Sequence, residues 1–158
     1  MNAVLENLVQ FRPMQLTDID DVMQIEPTIY SHPWSRGNFV DSIQSGYSAW
    51  LMMQDQNLIG YAVLMMVLDE AHLLNISVAK PFQGQGFGTT LLEKMFAVAR
   101  QYQAANMFLE VRLSNKSAIG LYEKMGFNEM AIRRNYYPAD PKIFKNGRED
   151  AVLMGCAL

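Results

Sequence analysis

Gln83-Gly84-Gln85-Gly86-Phe87-Gly88-Thr89 stands between an apolar run, Leu73 to Val78, and a segment with helical periodicity. A strand, a glycine-rich loop and a helix in that order set the unpaired N–H groups of a helix N-terminus beside a flexible backbone. There they can surround a phosphate or pyrophosphate. Gly86 and Gly88 carry no Cβ, so the chain can turn sharply and a ligand can approach closely. The spacing Gln-x-x-Gly-x-Gly differs from the Gly-x-Gly-x-x-Gly of dinucleotide folds, and Gly-Lys-Ser/Thr is absent, so neither a Rossmann fingerprint nor a P-loop is met. Taken alone, the loop reads as an anion site or as a tight turn without a ligand.

Upstream, Val9 to Arg12 reads as a short strand. Thr17 is a plausible cap for a helix carrying Ile19, Val22, Met23 and Glu26 at helical spacing. A second helix runs from about Arg36 to Ser45, after Pro33-Trp34-Ser35. Tyr47 to Gln54 and Leu58 to Leu68 are strands joined at Asp55-Gln56-Asn57, a hairpin signal. Ala71 to Ala79 is a third strand, ending at Pro81. Downstream of the loop, Leu91, Leu92, Met95, Val98, Ala99 and Tyr102 share one helix face. Met107 to Leu113 is then a strand, Lys116 to Met125 a helix closed by Gly126, and Phe127 to Arg133 a strand. After a long polar loop, Ala151 to Ala157 is the last. This order predicts one α/β (α+β) domain over residues 1–158, a mixed central sheet of about seven strands flanked by four helices.

Half of the 158 residues are hydrophobic, which excludes wholesale disorder and suits a single core. The net charge of −3 argues against a general nucleic-acid binder, and no nucleic-acid partner is expected. Cys156 is alone, so no internal disulfide is expected. Met1 to Gln10 contains Glu6 and no basic segment, unlike a signal peptide. Leu58 to Leu68 falls short of the roughly 20 apolar residues a bilayer requires, so no membrane partner and a cytoplasmic location are expected. His32 and His72 stand apart from each other and from metal-ligand spacings, and no metal is expected.

Around the glycine loop, several segments carry a resemblance. Gln83-x-x-Gly86-x-Gly88 is joined by Leu109-Glu110-Val111-Arg112-x-Ser114-Asn115, by Leu121-Tyr122-Glu123-Lys124-Met125-Gly126-Phe127 and by Arg133-Arg134-Asn135-Tyr136-Tyr137-Pro138. With Pro33-Trp34-Ser35, Asn75-Ile76-Ser77-Val78 and Arg148-Glu149-Asp150-Ala151, the chain resembles the GCN5-related N-acetyltransferases over nearly its whole element order. Within them it is similar to the enzymes that acetylate the N-terminal alanine of ribosomal protein eighteen of the small subunit. The resemblance implies that family's fold, acetyl-CoA as cosubstrate, a protein N-terminus as acceptor, and a monomer or weak dimer. It implies Ile76, Ser77 and Val78 against the acetyl-pantetheine arm, and Gly84, Gln85, Gly86, Phe87, Gly88 and Thr89 at the pyrophosphate. Asn115 would lie further along the coenzyme, although Asn also favours helix N-caps. Glu110 would accept a proton and Tyr122 donate one, while Trp34 and Tyr136, in aromatic loop clusters, would flank the acceptor peptide.

Glu110 can be argued from its surroundings as well. A carboxylate between Leu109 and Val111 in a strand is out of character unless paired or used. Arg112 shares its strand face, so a structural ion pair is the plain alternative. For catalysis, an α-amino group has a reference pKa of about 7.7–8.0 and is largely protonated near neutral pH, so a well-placed carboxylate suffices to deprotonate it. Tyr122 is flanked by Leu121 and Met125 on a helix, where an aromatic is more often core than catalyst. Its catalytic role would be a hydrogen bond to the leaving thiolate, because a phenol is a weaker acid than a thiol.

The chain departs from the family's pattern at Gln83, where Arg is common, at Gly120 inside a helix, and in a long loop, Ala139 to Gly147, expected to border the peptide site. Transfer to lysine side chains or small amines, and a non-catalytic acyl-CoA-binding module, are the alternatives to α-amine acetylation.

Overall fold

Both faces of the strand Asn57–Val67 are covered, and this sets the layers of the molecule. Tyr61 and Val63 pack on one side against Ile19, Val22 and Phe39, while Ala62 and Leu64 pack on the other against Leu91, Leu92 and Met95. A strand buried on both faces has no reason to alternate apolar and polar residues, hence its continuous apolar run. The structure is a computed structural model that describes residues 9–158, so most of the Met1–Gln10 reading lies outside the described residues.

The strands are β1 (Gln10–Pro13), β2 (Ser48–Gln54), β3 (Asn57–Val67), β4 (Glu70–Val78), β5 (Asn106–Arg112), β6 (Asn128–Pro138) and β7 (Arg148–Ala157). The helices are α1 (Ile19–Ile29), α2 (Arg36–Gln44), α3 (Phe87–Gln101) and α4 (Lys116–Lys124). The strands form one mixed sheet in the order β1-β2-β3-β4-β5-β7-β6. Every neighbouring pair is antiparallel except β4 and β5. The seven strands and four helices are those expected from sequence.

The last strand starts earlier than expected, at Arg148, and two further differences bear on the surroundings of the site. The first helix begins at Ile19, and Thr17 lies in a short 3-10 turn, Leu16–Asp18. Asp18 organises that turn by accepting from the Gln15 N–H at 2.8 Å and pairing with Arg12 at 2.8 Å. The second difference concerns Tyr136 and Tyr137, which belong to strand β6 and not to a loop. Three residues of β6, 134–136, stand opposite Asp150 alone, because the register passes from Arg133↔Ala151 to Tyr137↔Glu149. Asn135 adopts φ 53° in this bulge, and its N–H donates to Asp150 Oδ1 at 2.8 Å. An exposed, bulged edge strand needs no hydrophobic alternation, so its pattern looked like a loop.

Candidate active site

The sheet opens where β4 and β5 separate. The two strands pair from Glu70↔Asn106 to Leu73↔Leu109, and their register ends there. Ala79 N–H donates to the Ile59 carbonyl, so Ser77 and Ala79 turn their main-chain groups towards β3. Ile76 and Val78 turn theirs the other way, into the opening. Side chains reach both of those carbonyls: Tyr30 O–H donates to Ile76 O at 3.1 Å, and Gln83 Nε2 donates to Val78 O at 2.9 Å. Gln83, although exposed, thereby commits its side-chain amide to an intramolecular hydrogen bond.

Three contiguous cavities line this opening. The largest, about 580 Å³, runs along Ile76, Ser77, Val78, Gly84, Gly88 and Asn115. A second of about 260 Å³ lies between Glu26, Trp34, Glu110 and Tyr137. The third, about 250 Å³, continues outward past Phe108, Tyr136 and Leu153. Tyr122 belongs to the first and second, Glu110 to the second and third.

At the glycine loop, Gly84 and Gly86 adopt φ 75° and 87°, which L side chains rarely tolerate. Gly86 caps α3, whose first N–H groups lack intrahelical partners by geometry. Gly88 faces the large cavity, and a Cβ there would meet Leu121 Cδ2 at 3.3 Å. The loop therefore fits a pyrophosphate: bare backbone, unpaired donors and the positive end of a helix dipole.

Glu110 Oε1 lies 3.6 Å from Arg133 Nη2, while its Oε2 is buried with no hydrogen-bond partner. Arg112 does not pair with Glu110. Its guanidinium goes to Glu149 Oε1 at 3.2 Å and Pro138 O at 2.8 Å, and sits over the Tyr137 ring at 4.6 Å. Burial pushes the Tyr122 hydroxyl well above the usual tyrosine range, with the Tyr30 and Tyr137 hydroxyls adding to the shift. Tyr137 is raised first by burial and then by the Glu110 charge.

Of the residues expected at the coenzyme, Ile76, Ser77, Val78, Gly84, Gly88 and Asn115 share the large cavity. Asn115 also caps α4, accepting from Ala118 N–H at 3.2 Å. Gln85 turns its Nε2 back to Pro81 O at 3.1 Å, and Phe87 is buried against Phe82, which leaves Phe87 only its backbone to offer. Gly86 and Thr89 stand in the same turn and do not line the cavity. Trp34 lines both smaller cavities and Tyr136 the outer one. Residues 139–147 line none of the three; Ala139 and Gly147 close that loop on itself through a 2.9 Å hydrogen bond.

Sequence reasoning did not nominate Glu26, Tyr30 or Tyr137. Glu26 carried a signal, a carboxylate on the same helical stripe as Ile19 and Val22. Tyr30 carried none, since its role depends on reaching β4 across 46 residues. Among the described residues no group of three or more His, Cys, Asp and Glu could hold a metal. Nor is any described helix long and apolar enough to cross a membrane.

Residues 19–127 match the sequence model of the acetyltransferase (GNAT) family. The chain is similar to the ribosomal protein bS18-alanine N-acetyltransferase of Escherichia coli, with 40% identity over 141 residues, 89% of this chain and 92% of that one. The enzyme of the same name from Haemophilus influenzae is 39% identical over 145 residues, 92% of this chain and 96% of the other. The crystal structure of the ribosomal-protein-S18-alanine N-acetyltransferase from Escherichia coli superposes with a TM-score of 0.85 at 38% identity, covering 94% of this chain and 93% of that one.

Proposed function

The chain belongs to the acetyltransferase (GNAT) family, and on that premise we propose that it acetylates the N-terminal α-amine of a protein, the alanine of ribosomal protein bS18. Acetyl-CoA supplies the activated acetyl group as a thioester. Ile76, Ser77, Val78 and Asn115 hold its arm in the large cavity, and the Gly84–Thr89 turn receives its pyrophosphate. The acceptor enters from the opposite side, between Trp34 and Tyr136.

The observation that carries this reading is Glu110 Oε2, buried, unpartnered and beside the cavity that Tyr122 also lines. A buried carboxylate oxygen without a donor is costly, and an ammonium N–H arriving in that cavity would satisfy it. Glu110 takes one proton from the α-ammonium, the freed amine attacks the thioester carbonyl directly with no acyl-enzyme, and as the C–S bond breaks the second N–H proton is lost to water. Tyr122 stabilises the departing sulfur. On reference values, proton transfer from a phenol to a thiolate is uphill by about 2 kcal/mol. Burial widens that gap for Tyr122, so its contribution is a hydrogen bond that strengthens as charge develops.

The deciding experiment offers two peptides in competition. One begins with the free alanine of bS18; the other is N-blocked and carries an internal lysine. The acetyl group, located by mass spectrometry, is expected on the α-amine. Modification mainly on lysine would overturn the acceptor assignment.

A further inference from the structure

A second carboxylate borders the acceptor cavity. Glu26, on the last turn of α1, is 1% exposed and lines the same cavity as Glu110. Its Oε1 accepts from Tyr61 O–H at 2.8 Å and Asn75 N–H at 3.3 Å, and its Oε2 accepts from Trp34 N–H at 2.9 Å. Each contact sets a protein donor within reach of a Glu26 oxygen, so both oxygens are held in place. All three donors are neutral. Among the described residues no ion pair includes Glu26.

A buried charge without a counter-ion is expensive. The other charged groups of this cavity do not supply one. Arg112 is committed to Glu149, Glu110 has the same sign, and His32 is exposed with its Nδ1 beside the Ser31 hydroxyl at 3.1 Å. Tyr30 is pushed up to about 12, mainly by burial and in part by Glu26. Tyr61 is driven higher by the same two causes.

We propose that Glu26 is the fixed negative charge that receives the acceptor's α-ammonium, and that the bound N-terminus is its missing counter-ion. This rests on the α-amine reading above and deepens it by dividing two tasks between two carboxylates. Glu26, with both oxygens engaged, is held still to face the ammonium; Glu110, with one oxygen free, exchanges the proton. Because Glu26 also holds the Trp34 backbone, the charge and the cavity wall are positioned by one residue. The occupant is thereby specified as a cationic primary amine, and on the α-amine reading a blocked or amine-free N-terminus should be rejected.

The test uses a peptide beginning with alanine and a desamino analogue with propionyl in its place, as substrate and as competitive inhibitor near neutral pH. Wild type should favour the amine-bearing peptide. Glu26→Gln should raise KM for it by about tenfold or more, the scale of a hydrogen bond to a charged group, and erase the preference over the analogue. KM for acetyl-CoA should stay within about twofold, as expected for a residue off the coenzyme groove. Equal weakening of both peptides would make Glu26 a structural residue only and overturn the proposal. Should Glu26→Gln fail to fold, Glu110→Gln keeps the question open to measurement. It must retain the ammonium preference if Glu26 supplies it, and losing it would also overturn the proposal. If wild type acetylates no α-amine at all, the functional reading itself falls, an outcome separate from either mutant result.

Discussion

Arg112 Nη1 lies 3.2 Å from Oε1 of Glu149, and this pair ties the end of β5 to the start of β7 behind the acceptor cavity. The other Glu149 oxygen accepts from Ser114 N–H at 2.8 Å, which fixes the turn leading to Asn115 and α4. Burial alone would raise the Glu149 pKa, but the Ser114 hydrogen bond and the Arg112 guanidinium outweigh it and hold the carboxyl below its ordinary value.

Glu149→Gln should therefore destabilise the fold by about 1–3 kcal/mol near neutral pH, the range for an impaired charged hydrogen-bond node. The folded pKa lies below the unfolded one. The contribution of the charge is thus complete above the unfolded value of about 4.3 and is lost as pH falls through the folded value. Urea denaturation of wild type and variant should show the gap closing on acidification below about pH 4. A gap that stays constant would mean the carboxylate acts through shape, not charge.

In the glycine loop, two substitutions should separate ligand contact from backbone strain. Gly88→Val puts a side chain towards the large cavity, where its Cβ meets only the flexible end of Leu121, at 3.3 Å. Calorimetric affinity for acetyl-CoA should fall by at least about 30-fold, while the thermal midpoint moves by only a few degrees. Gly86→Val, at φ 87°, should lose about 1–2 kcal/mol of stability as well as affinity. Undiminished binding by folded Gly88→Val would remove the pyrophosphate from this turn.

The two proposed catalytic groups should respond differently to pH. Glu110→Gln should be most impaired where the amine arrives protonated, and its deficit should shrink above the amine's pKa of about 8. Tyr122→Phe should lose about 10²- to 10⁴-fold in turnover with acetyl-CoA binding intact. Burial keeps the Tyr122 hydroxyl protonated throughout the working range, so that loss should be flat with pH. Near wild-type turnover in Tyr122→Phe, when chemistry is rate-limiting, would make Tyr122 a packing residue.

The β6 bulge predicts an acceptor-specific defect. Arg148 Nε donates to Asn135 O at 3.1 Å and its Nη2 to Tyr136 O at 2.7 Å, clamping the backbone that presents Tyr136 and Tyr137. Arg148→Ala should raise the peptide KM by about three- to tenfold through two weakened charged hydrogen bonds. Its effect on acetyl-CoA affinity should be small. A matched loss on both substrates would point to general loosening instead.

The sequence made the layers legible because they rest on local signals. The apolar stripe of α3, the Asp55–Asn57 turn and the glycine loop each act within about one element. The chemistry was less evenly legible. Glu110 stood out as a carboxylate in an apolar strand, yet its neighbour on that face, Arg112, turned out to serve Glu149, 37 residues away. Tyr136 and Tyr137 were noticed as aromatics, but a bulge held by side chains from the next strand leaves no periodic trace. Glu26 was visible on the buried stripe of α1, and only the fold shows that its partners are Tyr61, Asn75 and Trp34.

The separation of β4 from β5 after Leu73 should also be visible in time. Ile76 and Val78 direct main-chain groups into the opening, and side chains occupy both carbonyls, but no strand covers the N–H groups beside them. Those two amides should exchange their hydrogens with solvent rapidly in the free protein, although they lie mid-sheet among slowly exchanging neighbours. Saturating acetyl-CoA should slow them more than it slows Tyr61 or Val63, whose strand has partners on both edges. Residue-resolved deuterium uptake would then report occupancy of the gap without any acceptor present. Equal protection of Ile76 and Val63 in the free protein would show that the gap closes in solution.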